Sequence, residues 1–217
     1  GEFMKRIFVS TVFLAIFAAH VTLAAEENVE PPKSGSPKLG PPIVRTHIPT
    51  LVETVRFSGD IHLCGEKIPF TDPEVRERLE KEMMLAVWNR PQVMLWLKRA
   101  HRWFPHIESV LKQEKLPLDL KYLPIVESAL LAHGRSFKGA VGYWQFIKST
   151  GKRYGLRIDS KVDERRNMFF ATQAACRYLK DLYSQFGSYL LAMSAYNMGE
   201  YGLSKAMARQ DTQDFFS

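Results

Sequence analysis

The segment Leu116–Leu131 constrains this chain most, because it places one carboxyl group, that of Glu127, in an apolar stretch. The residues three and four positions away from Glu127 are all apolar: Leu123, Pro124, Leu130 and Leu131. Residues at these spacings share one face of a helix, and burial raises the pKa of a carboxyl group. The segment therefore predicts an apolar helix whose carboxyl group can donate a proton near neutral pH.

The chain from Thr71 onward has the apolar spacing of helices and few strand patterns, which predicts a mostly α fold. Thr71 or Asp72 can cap a first helix that has Pro73 at its first position. Further helices are expected from Pro91, Pro105 and Pro117, and then over 146–154, 166–186 and 189–195. Pro124 should kink the helix that carries Glu127 or shift its register. Asp163 is expected to cap a helix that begins around Arg165.

The first 50 residues are interpreted as segments that precede the folded part. Residues 1–25 combine what looks like a cloning remnant with the positive start, apolar run and small residues of a secretory signal peptide. The apolar run is short for a membrane span of about 20 residues, which favours a signal peptide over an anchor. No cysteine follows the cleavage region, so a lipid anchor is not indicated. Residues 26–50 contain six prolines and are expected to form a linker.

The formal net charge of +7 suits an acidic partner such as cell-wall polymer, a membrane surface or nucleic acid, although solubility alone would also explain it. Cys64 and Cys176 permit one intrachain disulfide in an oxidising compartment, and the sequence does not decide whether it forms. The six histidines lack metal-ligand spacing. We predict no metal ion and no cofactor.

Four short motifs occur in order along the second half of the chain: Glu127-Ser128, Ser136–Ala140, Gly142–Gln145 and Ser194–Asn197. The third is expected to open a helix, and the fourth to end one. In this order and spacing, over about residues 116–210, the chain resembles the lytic transglycosylases of glycoside hydrolase family 23. The resemblance implies a goose-type-lysozyme-like helical SLT domain over 116–217, preceded by an N-terminal helical extension over 51–115. The family usually continues beyond this point, so a short branch and a truncated C-terminus are both open.

The resemblance implies that Glu127 is the single catalytic acid of a peptidoglycan lytic transglycosylase. In this family one Glu acts as acid and then as base, and the product ends in 1,6-anhydro-N-acetylmuramic acid. Ordinary glycosidases need two carboxyl groups that flank the bond. The candidates for a second carboxylate are Asp159, Asp163 and Glu164, but all lie beside Lys or Arg. We interpret them as turn, cap and ion-pair residues.

The resemblance also implies a set of substrate-binding residues: Ser128, Ser136, Gln145, Tyr196 and Asn197. The two serines would bind the sugar or the surroundings of the acid, although Ser128 could simply terminate its helix. Gln145 would bind sugar, Tyr196 would hydrogen-bond Glu127, and Asn197 would bind substrate or stabilise developing charge. For Lys138, a contact with a peptide-stem carboxylate and a solvated loop position are both open.

We therefore expect an exported enzyme of the periplasm or cell envelope that binds peptidoglycan strands and no nucleic acid, with peripheral outer-membrane association as an option. The sequence does not indicate an oligomeric state. Two alternatives stay open: a hydrolytic muramidase or chitinase on the same scaffold, and a non-catalytic peptidoglycan-binding module. Four aromatic residues before the motifs are interpreted as packing residues rather than glycan platforms: Trp88, Trp96, Trp103 and Phe104.

Overall fold

A computed structural model describes residues 60–212 and 215–216. The expected cloning remnant, signal peptide and Pro-rich linker lie outside the described residues. A two-stranded hairpin precedes seven α-helices: β1 Ile61–Leu63, β2 Glu66–Ile68, α1 Pro73–Trp88, α2 Arg90–Gln113, α3 Leu123–Ser128, α4 Lys148–Arg153, α5 Met168–Phe186, α6 Tyr189–Met198 and α7 Glu200–Gln210. Short 3-10 helices cover Leu118–Tyr122 and Glu164–Arg166. The prediction of a mostly α fold is confirmed.

The hairpin, which the sequence patterns did not predict, attaches the start of the described chain to the helical core. β1 and β2 pair antiparallel, and the turn between them has positive φ at both Cys64 and Gly65. The Glu66 carboxylate accepts hydrogen bonds from Ser188 Oγ at 2.6 Å and from Tyr189 N at 2.5 Å, at the start of α6. Cys64 is a free thiol, as is Cys176 within α5. The disulfide that the sequence permits is absent from the structure.

Helix α1 begins as predicted, whereas α2 differs from the prediction. The Asp72 side chain caps α1 by accepting from the N–H groups of Glu74 and Val75. The two helices expected from Pro91 and Pro105 form one helix, with Pro105 in its interior. A proline costs its helix one hydrogen bond. Here the buried face of α2 runs continuously past it, through Ala100, Ile107, Val110 and Leu111, and packing of that face holds the helix together.

The helix that carries Glu127 is short and follows a change of helix type. A 3-10 helix over Leu118–Tyr122 gives way to α3 at Leu123, so Pro124 lies in the first turn of α3, where its missing N–H costs little. The helix expected from Pro117 therefore begins as an α-helix only at Leu123, and Pro124 lies in its first turn rather than kinking its interior. Ala129 and Leu130 then adopt left-handed backbone conformations and end the helix. Glu127 therefore lies in the last turn of α3.

The segment between α3 and α4 is an irregular loop, and the helix expected to open at Gly142 begins only at Lys148. Gly142 and Gln145 have φ values of 84° and 48°, which are incompatible with an α-helix. Val141 instead makes isolated β-bridges to Arg135 and to Phe146. The loop thus folds back on itself.

Helix α5 is the centre of the core and packs against α2 and α6. Its buried residues include Ala171, Ala174, Ala175, Leu179 and Leu182. The helix expected around Arg165 is only a 3-10 turn capped by Asp163, and Asn167 caps α5 itself. Within the described residues, no helix is long and apolar enough to cross a membrane.

The contact between Gly142 and Arg165 yields a test of the loop conformation. A Cβ atom on Gly142 would lie 1.8 Å from the Arg165 carbonyl oxygen, whereas a Cβ on Gly139, which also has positive φ, would meet nothing within 4 Å. We expect Gly139→Ala to lower the free energy of unfolding by about 1 kcal/mol through backbone strain, and Gly142→Ala by at least about 3 kcal/mol. Urea unfolding measures both. Equal losses would show that the close approach does not exist.

Candidate active site

A cleft of about 390 Å³ opens between the last turn of α3, the irregular loop and the end of α6. The predicted site residues that line it are Glu127, Ser136, Gln145, Tyr196 and Asn197. Residues that the sequence analysis did not assign to the site also line it, among them Phe146, Ile147, Thr150 and Tyr178. A more open depression of about 580 Å³ lies near Phe186 and Met207 and contains none of the predicted site residues. The cleft is therefore the candidate active site.

Glu127 reaches the cleft with part of its side chain, while its Oε1 atom is buried. Oε1 has no hydrogen-bond partner among the described residues. Burial raises the pKa of the carboxyl group from 4.5 to about 7, and a hydrogen bond with the Asn197 side chain opposes this rise. Near neutral pH both protonation states are thus populated. Such a group can release a proton and take one back.

The structure does not bring Ser128 to the cleft. Its hydroxyl lies 2.7 Å from the Tyr143 carbonyl oxygen and 3.2 Å from that of Pro124, and it accepts a hydrogen bond from Leu131 N. All the hydrogen bonds of this side chain are thus made with main-chain groups. It joins the end of α3 to the irregular loop.

Ser136 and Gln145 line the cleft and also shape the loop that carries them. Ser136 Oγ accepts from Ala140 N at 3.1 Å and closes a tight turn. Gln145 Nε2 donates to the carbonyl oxygens of Gly134 and Gly142, at 3.1 and 2.8 Å. These two bonds use the amide hydrogens of Gln145. Its side-chain oxygen remains as the acceptor that a ligand could engage.

Tyr196 lies at the cleft as predicted, but its hydrogen bond differs from the prediction. The phenol donates to the Trp144 carbonyl oxygen at 2.7 Å rather than to Glu127. The Trp144 indole N–H donates to Thr172 Oγ1 in α5, which fixes the backbone of Trp144 within reach of the phenol. Burial, with a further contribution from the nearby charge of Glu127, holds the pKa of Tyr196 well above its usual value. The phenol therefore stays protonated.

None of the three other carboxylates considered from the sequence lines the cleft. Asp159 is paired with Arg157 at 2.6 Å, and this hydrogen bond is the main cause that lowers the pKa of Asp159 to about 2. The Glu164 carboxylate accepts from the backbone N–H of Arg157. Asp163 caps a 3-10 turn and binds the buried guanidinium of Arg165. These contacts agree with their interpretation as turn, cap and ion-pair residues.

The role of Arg165 in supporting the cleft was not predicted from the sequence. Arg165 is buried, with a side chain that is only 8% exposed. Its Nη1 donates to the carbonyl oxygens of Gly139 and Phe146, which lie on two arms of the irregular loop. The order Asp163-Glu164-Arg165-Arg166 indicated an ion pair but not that the pair would brace a cleft wall.

A helical domain with one partly buried carboxyl group in a cleft is the architecture that the motifs predicted. A family model described as "Transglycosylase SLT domain" matches residues 106–216, which is about half of the chain. The chain belongs to this family, and the resemblance stated from the motifs is confirmed.

Individual relatives agree with this assignment. The chain is 34% identical over 165 residues to "Membrane-bound lytic murein transglycosylase D" of Escherichia coli strain K12, covering 73% of this chain and 36% of the relative. It is 29% identical over 116 residues to "Putative tributyltin chloride resistance protein" of Alteromonas sp. strain M-1, covering 52% and 56%. It is 39% identical over 83 residues to "Peptidoglycan transglycosylase gp16" of Escherichia phage T7, covering 37% and 6%. The chain thus spans little more than a third of the first of these relatives.

The raised pKa of Glu127 predicts a pH dependence of stability. Because the folded chain holds this proton more tightly than the unfolded chain, the stabilisation is complete below about pH 4.5 and is lost as the pH rises to about 7. Across this window, the free energy of unfolding of the wild type relative to Glu127→Gln should fall by up to about 3 kcal/mol. Urea unfolding at a series of pH values measures this difference. A constant difference would contradict the burial of the carboxyl group.

Proposed function

We propose that this protein is a peptidoglycan lytic transglycosylase, which cleaves the β-1,4 bond between N-acetylmuramic acid and N-acetylglucosamine and leaves a 1,6-anhydro end. The observation that carries the proposal is the Glu127 carboxyl group, whose pKa of about 7 places a proton donor in a cleft where no other carboxylate lines the wall among the described residues. The printed names of two relatives, a murein transglycosylase and a peptidoglycan transglycosylase, support the same substrate.

In the first step, protonated Glu127 donates its proton to the oxygen that links the two sugars. The bond from that oxygen to C1 of N-acetylmuramic acid breaks, and the N-acetylglucosamine side leaves as an alcohol. Positive charge develops at C1, which the N-acetyl oxygen of the same sugar can shield. Glu127 is now a carboxylate in a buried position, which makes it a strong base.

In the second step, the Glu127 carboxylate takes the proton from the C6 hydroxyl of the same muramic residue. The C6 oxygen attacks C1 and closes the anhydro ring, so the acid is restored and no water is consumed. The nucleophile belongs to the substrate, which gives it a large effective concentration. One carboxyl group therefore suffices where a hydrolase commonly uses two.

The remaining cleft residues are proposed to hold the sugars and the acid in place. Asn197 hydrogen-bonds Glu127 and would bind substrate or steady the charge that develops. The free amide oxygen of Gln145 and the hydroxyl of Ser136 would accept from or donate to sugar groups. Tyr196 would act as a positioning residue, because its phenol holds the backbone of Trp144 beside the acid. Ser128 braces the same wall.

We further propose the domain organisation and location that the sequence indicated. Residues 1–25 would carry the signal peptide, 26–50 the linker, 51–115 the N-terminal helical extension, and 116–217 the catalytic SLT domain. The extension would not be an independent unit, because described residues such as Leu79 and Ile107 belong to the same core as α5. Export to the periplasm or cell envelope would place the cleft beside peptidoglycan, with outer-membrane association as a further option.

Replacing the proposed acid tests the function directly. Glu127→Gln should reduce the release of muropeptides from purified sacculi at least about 100-fold, because a general acid contributes this much or more. Binding to sacculi should persist, since the amide keeps the shape of the carboxyl group. Asp159→Asn is the matched control and should keep wild-type turnover, because Asp159 does not line the cleft.

Mass spectrometry of the wild-type products belongs to the same experiment, since anhydro ends lack one water relative to hydrolysed ends. Hydrolysed ends would instead identify a muramidase on this scaffold. Undiminished release by Glu127→Gln would show that the acid lies elsewhere, and wild-type binding without any release would identify a binding module.

The rate should also depend on pH in a defined direction. The free enzyme needs protonated Glu127, so kcat/KM should fall as the pH rises through about 7, approaching tenfold per pH unit beyond it. Initial rates on soluble glycan strands across the pH range measure this profile, with Asp159→Asn as the control that keeps the same midpoint. A flat profile into strongly alkaline pH would exclude the mechanism.

A further inference from the structure

The turn over residues 136–140, here called the cleft turn, presents two side chains that the proposed mechanism does not use. Lys138 lines the cleft and is exposed, and it forms no ion pair within the described part of the chain. It is also the only Lys or Arg among the described residues that line the cleft. The neighbouring Phe137 side chain is fully exposed, with a relative accessible area of 113%. Both side chains are therefore available to contact a ligand.

Hydrogen bonds hold the backbone of the cleft turn in place, so both side chains extend from a fixed backbone position. Ser136 and Ala140 exchange backbone and side-chain hydrogen bonds, and Gly139 N donates to Ser136 O. Arg165 anchors the turn from the core through the Gly139 carbonyl oxygen. A braced turn loses little conformational entropy when a ligand binds.

The charge in the cleft is informative about the substrate. A glycan backbone of N-acetylated sugars is uncharged, and the carboxylates of peptidoglycan lie on the peptide stem, which the muramic residue carries on its lactyl group. That muramic residue must sit with C1 at Glu127. An unpaired ammonium group in the same cleft is therefore positioned to meet the stem rather than the backbone.

Resting on the proposed function, we propose that Lys138 binds a carboxylate of the peptide stem and that Phe137 packs against the apolar part of the same stem. The cleft turn is then a subsite that selects acidic stems over amidated ones. Such a contact at an exposed lysine is worth up to about a fivefold change in KM.

The test compares two sets of glycan strands that differ only in whether the stem carboxylates are free or converted to amides. Lys138→Gln should raise KM about fivefold on the acidic strands, with kcat unchanged, and should have no effect on the amidated strands. Lys138→Arg should keep most of the wild-type preference. Phe137→Ser should raise KM on both sets, because its contact is apolar.

Two controls separate this contact from other effects of charge. Lys148 is exposed beside Ile147 but does not line the cleft, so Lys148→Gln removes the same charge nearby and should leave both KM values unchanged. The pH midpoint of kcat/KM should also stay at its wild-type value in Lys138→Gln, since burial and Asn197 account for the shift at Glu127. If Lys138→Gln raised KM equally on both strand sets, or if Lys148→Gln raised KM on the acidic strands as much as Lys138→Gln does, the proposal would be overturned.

Binding measurements keep this test separate from the test of turnover. In a Glu127→Gln background, acidic strands should bind about fivefold more weakly once Lys138→Gln is added, whereas amidated strands should bind equally well with and without that change. This result does not require cleavage. Absence of cleavage by the wild type would therefore refute the proposed function, while equal binding of acidic strands with and without Lys138 would refute the subsite.

Discussion

The buried guanidinium of Arg165 is the interaction on which the rest of the cleft depends. It binds Asp163 through two nitrogens, at 2.8 and 2.7 Å, and donates to the carbonyl oxygens of Gly139 and Phe146. A buried charge is tolerated only when it is paired and hydrogen-bonded, so the guanidinium can be buried here only because these contacts are present. Gly142 also packs on the Arg165 backbone. Arg165 therefore contacts the irregular loop at three places and determines the backbone path of this wall of the cleft.

Glu127 shows the opposite arrangement, since its buried Oε1 atom has no hydrogen-bond partner among the described residues. Oε1 is one of three buried side-chain polar atoms without a hydrogen bond in the described part of the chain. Leaving such an atom unpaired costs stability, and functional sites are where such exceptions concentrate. Here burial has a defined effect, because it raises the pKa of Glu127 to about 7, so that the proton is held near neutral pH.

Several features of this structure were readable from the sequence, because they depend on neighbours close in the chain. The apolar residues before Glu127 in the chain predicted part of its enclosure, although Leu131, which was expected on the same helix face, lies beyond the helix end and is exposed. Asp72 and Pro73 predicted the start of α1. Features set by distant contacts were not readable. Pro105 stays inside α2 because a continuous buried face holds the helix, and the segment after Gly142 is not helical because it packs on Arg165.

The same distinction holds for the candidate site. The motif order indicated which residues would converge, and Glu127, Ser136, Gln145, Tyr196 and Asn197 do line one cleft. The hydrogen-bond partners of these residues were harder to predict than their positions in the cleft. Tyr196 bonds the Trp144 carbonyl oxygen because the indole of Trp144 is fixed by Thr172, and no local pattern shows that a main-chain oxygen will lie there.

The cleft wall is held largely by side chains that bond to main-chain carbonyl oxygens. Ser128 reaches Tyr143, Gln145 reaches Gly134 and Gly142, and Tyr196 reaches Trp144. Each bond needs a particular side chain at its donor end, but any residue can supply the carbonyl at its acceptor end. The sequence is therefore constrained at the donors and at the glycines with positive φ, and much less at the tip of the cleft turn. Substitution at Phe137 and Lys138 can change what the cleft binds without disturbing the bonds that hold Glu127 in place, because neither side chain makes any of them.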